Sequence, residues 1–558
     1  MWLDDFLSDE EPTEPTEDVG MEREISERIH QQEDYEAELA QNYSPDDPHR
    51  LFPHNFLNEN YISCTVVKHP KKNISRDKLI ERVREECYTY NSRGNPVLNQ
   101  FMLCDLWHET YGYEYMGGNV ILTPDGAITQ EDFFSEMIRL LHDVNVETKN
   151  MDQVTDRLMR TYKGCFPAEK KINPNRIPFA NGDMYINEDK KGFTFHDGEK
   201  SAVPYRFPCR FKNIKNCLEP NFPKFRMWLD DLFEPEDQFT VKQLLGYLLI
   251  PSNEAQEAFF VIGKAGTGKS ILTDCIIKNL IGDGCFPISL GQFFNDKFQL
   301  ASSQGKLCMV DDDIGGTKLS KDDSGRFKNF ITSDMIKVEA KYCAPTEIPN
   351  FARIVCSGNN MINSDDKTDG FTRRLHPIYV KPVDIKSPDT KLKKKIKGEI
   401  DMIVLWALEG LLEVIQNGYV PYRSAKTNGR FSDYAESQKW EERFIRDCYV
   451  YKEGSSVYSK DIGDKLAEWL KENADLSNDL TLSGKIRCVL SWLKTEGNDK
   501  MGFSYKSSMK RGNNYGARGF INMAEKDDSE KPKVFHGENG KLHIKAPARK
   551  RNDNAEDV

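Results

Sequence analysis

The sequence predicts an α/β protein with a central parallel sheet, a mainly helical domain before it and a smaller domain of helices and short strands after it. Three observations lead there. A short apolar run, Ala258 to Ile262, passes into a loop with three glycines in six positions, Gly263 to Gly268. Apolar residues at helical spacing follow it: Ile271, Leu272, Cys275, Ile276 and Leu280. Two further apolar runs, 306–310 and 352–356, read as strands ending in polar clusters, Asp311-Asp312-Asp313 and Ser357-Gly358-Asn359. Helix-period patterns fill 75–163 and 222–251, and helices followed by short strands fill 431–523.

Strand, glycine loop and helix in that order make a phosphate cradle. Glycines let successive backbone N–H groups point inward, and the helix aims its positive end at the same place. The loop reads Gly263, Lys264, Ala265, Gly266, Thr267, Gly268, Lys269, Ser270. Lys269 stands where an ammonium reaches the outer phosphates of ATP, and Ser270 where a hydroxyl ligates Mg2+.

The chain of 558 residues has room for three or four domains. No apolar run approaches the ~18 residues a bilayer span needs, so no membrane partner is expected. The acidic start, with Asp4, Asp5, Asp9, Glu10 and Glu11, is unlike a signal peptide, and a cytoplasmic protein is expected. Thirteen cysteines include no C-x-x-C pair, which argues against a disulfide framework or a zinc site. The net charge of −12 is local: residues 1–60 hold 18 acidic and 3 basic side chains, leaving +3 on the rest.

In chain order, 1–74 reads as an acidic disordered tail, either simply solvated or serving as a docking segment or a mimic of DNA. Residues 75–221 read as an N-terminal α+β domain that is helical to about Lys163, then alternating and aromatic-rich between Phe179 and Phe211. No acidic pair near a histidine marks a polymerase site there, so an attached primase is not expected. Two helices over 222–257 lead into the phosphate loop.

Carboxylates at the tip of a buried strand beside a phosphate loop are placed to hold hydrated magnesium and to polarise water. On that logic Asp311 takes the metal and Asp312 the water, with the division of roles among the three aspartates left open. Asn359, at the tip of the third apolar run, suits contact with the terminal phosphate and the attacking water. Arg373 and Arg374 follow in DKTDGFTRRL, where an arginine can reach a neighbouring subunit's site.

GKAGTGKS, KLCMVDDD, DMIKVEAKY, VCSGNN and DKTDGFTRRL, in that order, resemble the superfamily 3 helicases, a branch of the AAA+ ATPases. The phage and plasmid primase-helicase family is the most similar, and IPFANGD, FPKFRMWLDDLF and LLGYLLI extend the likeness upstream. The resemblance implies a hexameric ring with ATP and Mg2+ at subunit interfaces and single-stranded DNA in the central pore. It also implies a pore hairpin, which falls on Lys341 and Tyr342 with Lys337 nearby. Lysine neutralises a phosphate and tyrosine offers a flat face, which binds a strand without reading its sequence. The family has one arginine acting in trans where this chain offers two; alignment to the next strand favours Arg374, with Arg373 open.

The motor thus covers 258–385, preceded by a helical collar at 222–257 and followed by a helical lid or linker at 386–430. Residues 431–525 resemble a winged-helix domain with a two-stranded wing, and 526–558 read as a disordered tail. Between Lys485 and Arg518 eight basic residues face only Glu496 and Asp499, which is either a duplex-binding surface for origin DNA or a solvated basic face. The expected function is an ATP-dependent replicative DNA helicase of a phage, virus or mobile element, working with a separate primase. The competing reading is an origin-binding initiator whose ATPase switches assembly.

Overall fold

Apolar positions that recur every three to four residues must be buried along one face, and the first helices of the described chain pack accordingly. The computed structural model describes residues 63–68, 74–117, 120–144, 151–168, 172–212, 222–296, 298–339, 345–383, 389–473, 481–511, 514–526, 533–536 and 542–545. Two units separate, 1–428 and 429–558.

The first unit begins with strand β1 (Ser63–Lys68), helix α1 (Arg76–Glu86), a hairpin of β2 (Tyr88–Tyr90) and β3 (Pro96–Leu98), and helix α2 (Gln100–Tyr111). The Ser75 hydroxyl accepts the Lys78 N–H at the start of α1, and Asn99 accepts two N–H groups at the start of α2. A three-stranded sheet of β4 (Glu114–Gly117), β5 (Val120–Thr123) and β6 (Gly126–Thr129) leads to α3 (Gln130–Asp143), which opens with a capping box between Thr129 and Asp132. Helix α4 (Met151–Cys165) completes a core of Leu79, Val83, Trp107, Phe133, Met137 and Tyr162.

Strands β7 (Arg176–Phe179), β8 (Gly182–Ile186) and β9 (Gly192–Asp197) form an antiparallel meander, and β1 adds to it parallel to β9. The expected tail over 1–74 is therefore too long at its end: Ser63–Lys68 is a strand. Its β-branched Thr65, Val66 and Val67 fit a pleated edge, a signal outweighed in sequence by the charged segments around it. Residues 1–62 lie outside the described residues.

Helices α5 (Pro223–Leu232) and α6 (Pro235–Tyr247) each start with proline in the first turn and lead into β10 (Ala258–Ile262). Helix α7 (271–281) follows, then β11 (Cys285–Pro287), α8 (Leu290–Asn295), β12 (Cys308–Asp311), β13 (Lys318–Leu319) and α9 (Lys321–Thr332). An antiparallel hairpin, β14 (Met335–Val338) with β15 (Thr346–Pro349), precedes β16 (Arg353–Gly358), β17 (Asn363–Ser364), α10 (Asp369–Thr372) and β18 (Leu375–Tyr379). Five of these strands make one all-parallel sheet in the order β11-β12-β16-β10-β18. Every residue of β10, β12 and β16 is buried, which is why these strands read as continuous apolar runs rather than alternations.

Helix α11 (Leu392–Lys397), α12 (Ile400–Gln416) and α13 (Ala425–Gln438) follow the sheet. α12 lies against α6 at a glycine-to-backbone crossing. A Cβ on Gly246 would stand 2.2 Å from the Ala407 carbonyl, and one on Gly410 would stand 2.4 Å from that of Lys242. Beside the crossing the fully buried Lys242 pairs with Glu413 and, at 3.7 Å, with Glu409. Burial pushes the Glu409 carboxyl up to about 7 despite the lysine.

In the second unit α14 (Trp440–Cys448) is followed by β19 (Tyr449–Tyr458), α15 (Ser459–Glu472), α16 (Leu482–Met501), β20 (Ser504–Arg511) and β21 (Asn514–Glu525). The sheet has three strands in the order β19-β21-β20, where sequence alone indicated a two-stranded wing. β19 escaped notice because Lys452, Glu453, Gly454, Ser455 and Ser456 interrupt its apolar pattern, and the ladder itself breaks register between Tyr451 and Ser456. Within the expected second tail, β22 (Lys533–His536) pairs antiparallel with β23 (Leu542–Lys545).

Among the described residues no helix is long and apolar enough to cross a membrane. Because backbone fills the space a Cβ would take, Gly410→Ala should cost about 3 kcal/mol by forcing α6 and α12 apart. Thermal unfolding of the variant beside the parent protein measures it, and an unchanged Tm would contradict the crossing.

Candidate functional site

Parallel strands place all their carboxyl ends on one edge of the sheet, and the glycine loop, the aspartate cluster and Asn359 gather there. Gly263 leaves β10 against Val380, whose Cβ lies 2.8 Å from where a glycine Cβ would be. Gly266 and Gly268 adopt φ of +78° and +93°, which other residues rarely take. The buried Thr267 hydroxyl donates to the Lys264 carbonyl at 3.0 Å and closes the turn, leaving Lys264, Ala265 and Gly266 at the surface. Beneath the loop, Trp228 of α5 directs its indole N–H at the Gly268 carbonyl, 3.5 Å away.

Lys269 is the centre of this arrangement. Its ammonium donates to the carbonyls of Gly263 and Lys264, each at 2.6 Å, and to the Asn359 side-chain oxygen at 3.4 Å. Burial lowers its pKa, and the charge of Asp313 works the other way. One side chain thus joins the glycine loop to the polar tip of β16, bringing together two motifs ninety residues apart. The Gly263 N–H also donates to the Gly358 carbonyl at 3.1 Å, so the two strand ends are tied by backbone as well.

The helix after the loop does not start as a regular α-helix. Residues Ile271–Ile277 form wider π turns and Lys278–Ile281 continue as α, with Leu272, Cys275, Ile276, Ile277 and Leu280 buried. The extra residue per turn explains why Ile277 joins the buried face although the regular spacing leaves it out. Ser270, at the head of this helix, is exposed and makes no capping bond with its side chain.

The three aspartates separate clearly. Asp311 is buried, and its two oxygens accept the N–H groups of Leu290, at 2.8 Å, and Asp313, at 3.2 Å. Burial raises its pKa. It anchors the start of α8 and the turn at the strand tip, whereas Asp312 and Asp313 present exposed carboxylates. Asp312 lies 3.4 Å from the Lys278 ammonium, and Asp313 accepts the Gly315 N–H at 2.9 Å. Among the described residues no three His, Cys, Asp or Glu side chains converge as a metal-binding group. A cation here would have only Ser270 and one or two of these carboxylates as protein ligands, a set that suits magnesium better than a site built wholly of protein groups.

Arg373 and Arg374 occupy the opposite edge of the sheet. The Arg374 carbonyl accepts the N–H of Ala258, the first residue of β10, at 2.8 Å, so a whole strand, about 16 Å, separates it from the glycine loop of its own chain. The Arg374 guanidinium donates to the Gly370 carbonyl in the same turn. Beside it His376, buried in β18, bonds Glu257 through Nδ1 at 2.8 Å, and Arg423 reaches Glu257 at 3.2 Å and the Leu375 carbonyl at 3.1 Å. This trio was not legible in the sequence, since its members lie more than forty residues apart. Lys337 is exposed on β14, opposite Glu347, in a hairpin between β12 and β16. Lys341 and Tyr342 lie outside the described residues.

A model of a family of unknown function, DUF5906, matches residues 261–374, which runs from the last residues of β10 to the arginine pair. No curated protein matches the sequence. Among solved structures, the A-form apo structure of the NrS-1 C-terminal region aligns over 73% of this chain and 95% of its own, with 13% identity and a TM-score of 0.39. A second structure of that region, residues 305–718, gives 75%, 97%, 13% and 0.39. The reading of the site rests on its own residues.

The buried imidazole gives a pH test. Burial, with the Arg423 charge, lowers the His376 pKa against the opposing pull of Glu257. The unfolded chain takes up this proton near the ordinary value of about 6.5 and the folded chain only at lower pH, so acidification favours unfolding in that window. Stability should fall as pH drops below about 6.5, and His376→Gln should flatten that slope in urea unfolding curves at pH 5.5 and 7.

Proposed function

We propose that this chain is an ATP-hydrolysing motor that moves along single-stranded DNA as a homo-oligomeric ring, a replicative helicase of a phage, virus or mobile element. The observation that carries the reading is the Lys269 ammonium between the glycine loop and Asn359, at the carboxyl edge of a parallel sheet. The strand order β11-β12-β16-β10-β18 supports it: numbered along the chain within the sheet it is 2-3-4-1-5, the arrangement of an AAA+ core.

In this reading the backbone N–H groups of 263–270 bind the phosphates of ATP, and Lys269 exchanges its loop carbonyls for the outer phosphate oxygens. Ser270 and Asp313 are the residues that would hold Mg2+, which when bound neutralises charge developing between the outer phosphates. The engagement of both Asp311 oxygens with backbone N–H groups favours Asp313 over Asp311 for that role. Asp312 orients the attacking water, and Asn359 bonds the terminal phosphate. Arg374, with Arg373 beside it, is too far from its own loop to act there and serves the site of an adjacent copy, as in an interface ATPase. The hairpin of β14 and β15, carrying Lys337 and through its sequence Lys341 and Tyr342, contacts DNA in the pore.

The second unit is read as a winged helix that binds duplex origin DNA. Its elements follow the order helix, strand, helix, helix, strand, strand, and the first strand pairs with the last. Lys506, Lys510 and Arg518 are exposed there, and the exposed Lys494 ammonium lies 4.3 Å from the centre of the Tyr505 ring. Lys485 is buried and Lys500 pairs with Glu442 and Glu496, which removes two of the eight basic residues from such a surface. A separate primase would supply primers. That DNA-binding unit also favours a second reading, an origin-binding initiator whose ATPase switches assembly.

Strand displacement on a forked substrate decides between the two. The helicase reading expects ATP-dependent displacement; turnover without displacement at high enzyme concentration selects the initiator. Lys269→Ala should abolish hydrolysis in either case, and retained turnover would end the site assignment. Arg374→Ala should bind a fluorescent ATP analogue normally yet lower turnover at least about 10³-fold. Mixing it with Lys269→Ala protein should restore part of that loss, and a mixture as inactive as its components would argue against action in trans.

A further inference from the structure

A line of alternating charge runs from the acidic strand tip to helix α11. Asp312 lies 3.4 Å from the Lys278 ammonium, Lys278 lies 2.7 Å from one oxygen of Asp274, and the other oxygen of Asp274 lies 2.6 Å from Lys393. The four residues come from three elements: the turn after β12, helix α7 and α11.

Geometry fixes Lys278 toward the strand tip. Side chains on a helix lean toward its N-terminus, so a lysine on the second turn of α7 extends its ammonium back along the helix. Asp274, one turn earlier, holds it in the favourable order of acid before base. Burial works against the lysine's charge, but the bond to Asp274 and the charge of Asp312 outweigh it and raise its pKa. Bonds to Lys278 and Lys393 hold Asp274 below the ordinary carboxylate value.

The far end is also fixed. The Cys275 thiol lies 3.3 Å from the Lys393 carbonyl, and Glu399, just past α11, accepts the N–H groups of Lys224 and Phe225 at the start of α5. α11 is thereby attached both to the helix after the phosphate loop and to the helix that carries Trp228.

We propose that Lys278 is a positioning residue for Asp312, aiming its carboxylate at the attacking water, and that Asp274 and Lys393 make this aim depend on the seating of α11. The inference rests on the phosphate-site reading above and deepens it: an isolated carboxylate on an exposed turn samples many directions, and a fixed ammonium selects one. Lys278 acts through Asp312, the group it pairs with, rather than on the reacting atoms.

The test is steady-state ATP hydrolysis by the full chain with Mg2+, together with binding of a fluorescent ATP analogue and thermal unfolding. Lys278→Met should lower kcat about tenfold while analogue affinity stays within twofold and Tm is unchanged, and Lys278→Arg should restore kcat to within twofold. Lys278→Gln, which keeps a polar side chain, serves as the second neutral variant. In an Asp312→Asn background Lys278→Met should have no further effect on single-turnover rates. An equal loss in that background marks a structural role and overturns the proposal, as does a kcat unchanged by Lys278→Met or Lys278→Gln. A parent protein with no ATP turnover fails one step earlier and removes the phosphate-site reading with this one.

Discussion

The position of one ammonium organises the molecule. Lys269 is held by two carbonyls of its own loop and by Asn359, and the Asn359 bond forms only where the carboxyl ends of β10 and β16 lie side by side. That adjacency requires a parallel sheet with β10 inside it, which in turn requires covering on both faces. The helices on either side of 258–379 follow from that demand: α7 lies against β16, and the α6–α12 pair is packed so closely that glycine faces backbone. A surface loop of the same composition without the sheet would lack the Asn359 partner of its lysine.

Much of this was legible in the sequence because parallel strands buried on both faces leave an unambiguous trace. Ala258 to Ile262, Cys308 to Val310 and Arg353 to Cys356 all form strands where apolar runs lie, and the hairpin between β12 and β16 appears where the motif order placed it. The elements that escaped have weaker traces for physical reasons. β1 is a short edge strand beside charged segments, and β19 carries a bulge across Lys452 to Ser456 that breaks its alternation. Within the site, sequence located the aspartate cluster but not its division of labour. Which carboxylate is buried depends on where Leu290 and Asp313 direct their N–H groups, and spacing along the chain carries no record of that.

Long-range polar partners form a second class that local patterns cannot show. The His376–Glu257–Arg423 trio joins residues separated by 119 and 166 positions. Lys242 meets Glu413 across two helices whose sequences show the lysine and the glutamate without pairing them. Each is visible beforehand merely as a charged residue inside a hydrophobic stretch, a signal that something must neutralise it but not what.

Arg353 gives one such residue a further meaning. Fully buried at the first position of β16, it donates to the carbonyls of Tyr247, Ile250, Ser252 and Phe351, thereby gathering the end of α6 and the segment after it. Asn359 stands immediately beyond the other end of the same strand. A six-residue extended strand bridges the two, so β16 is a strut about 20 Å long with the Asn359 amide at one tip and the Arg353 clamp on α6 at the other.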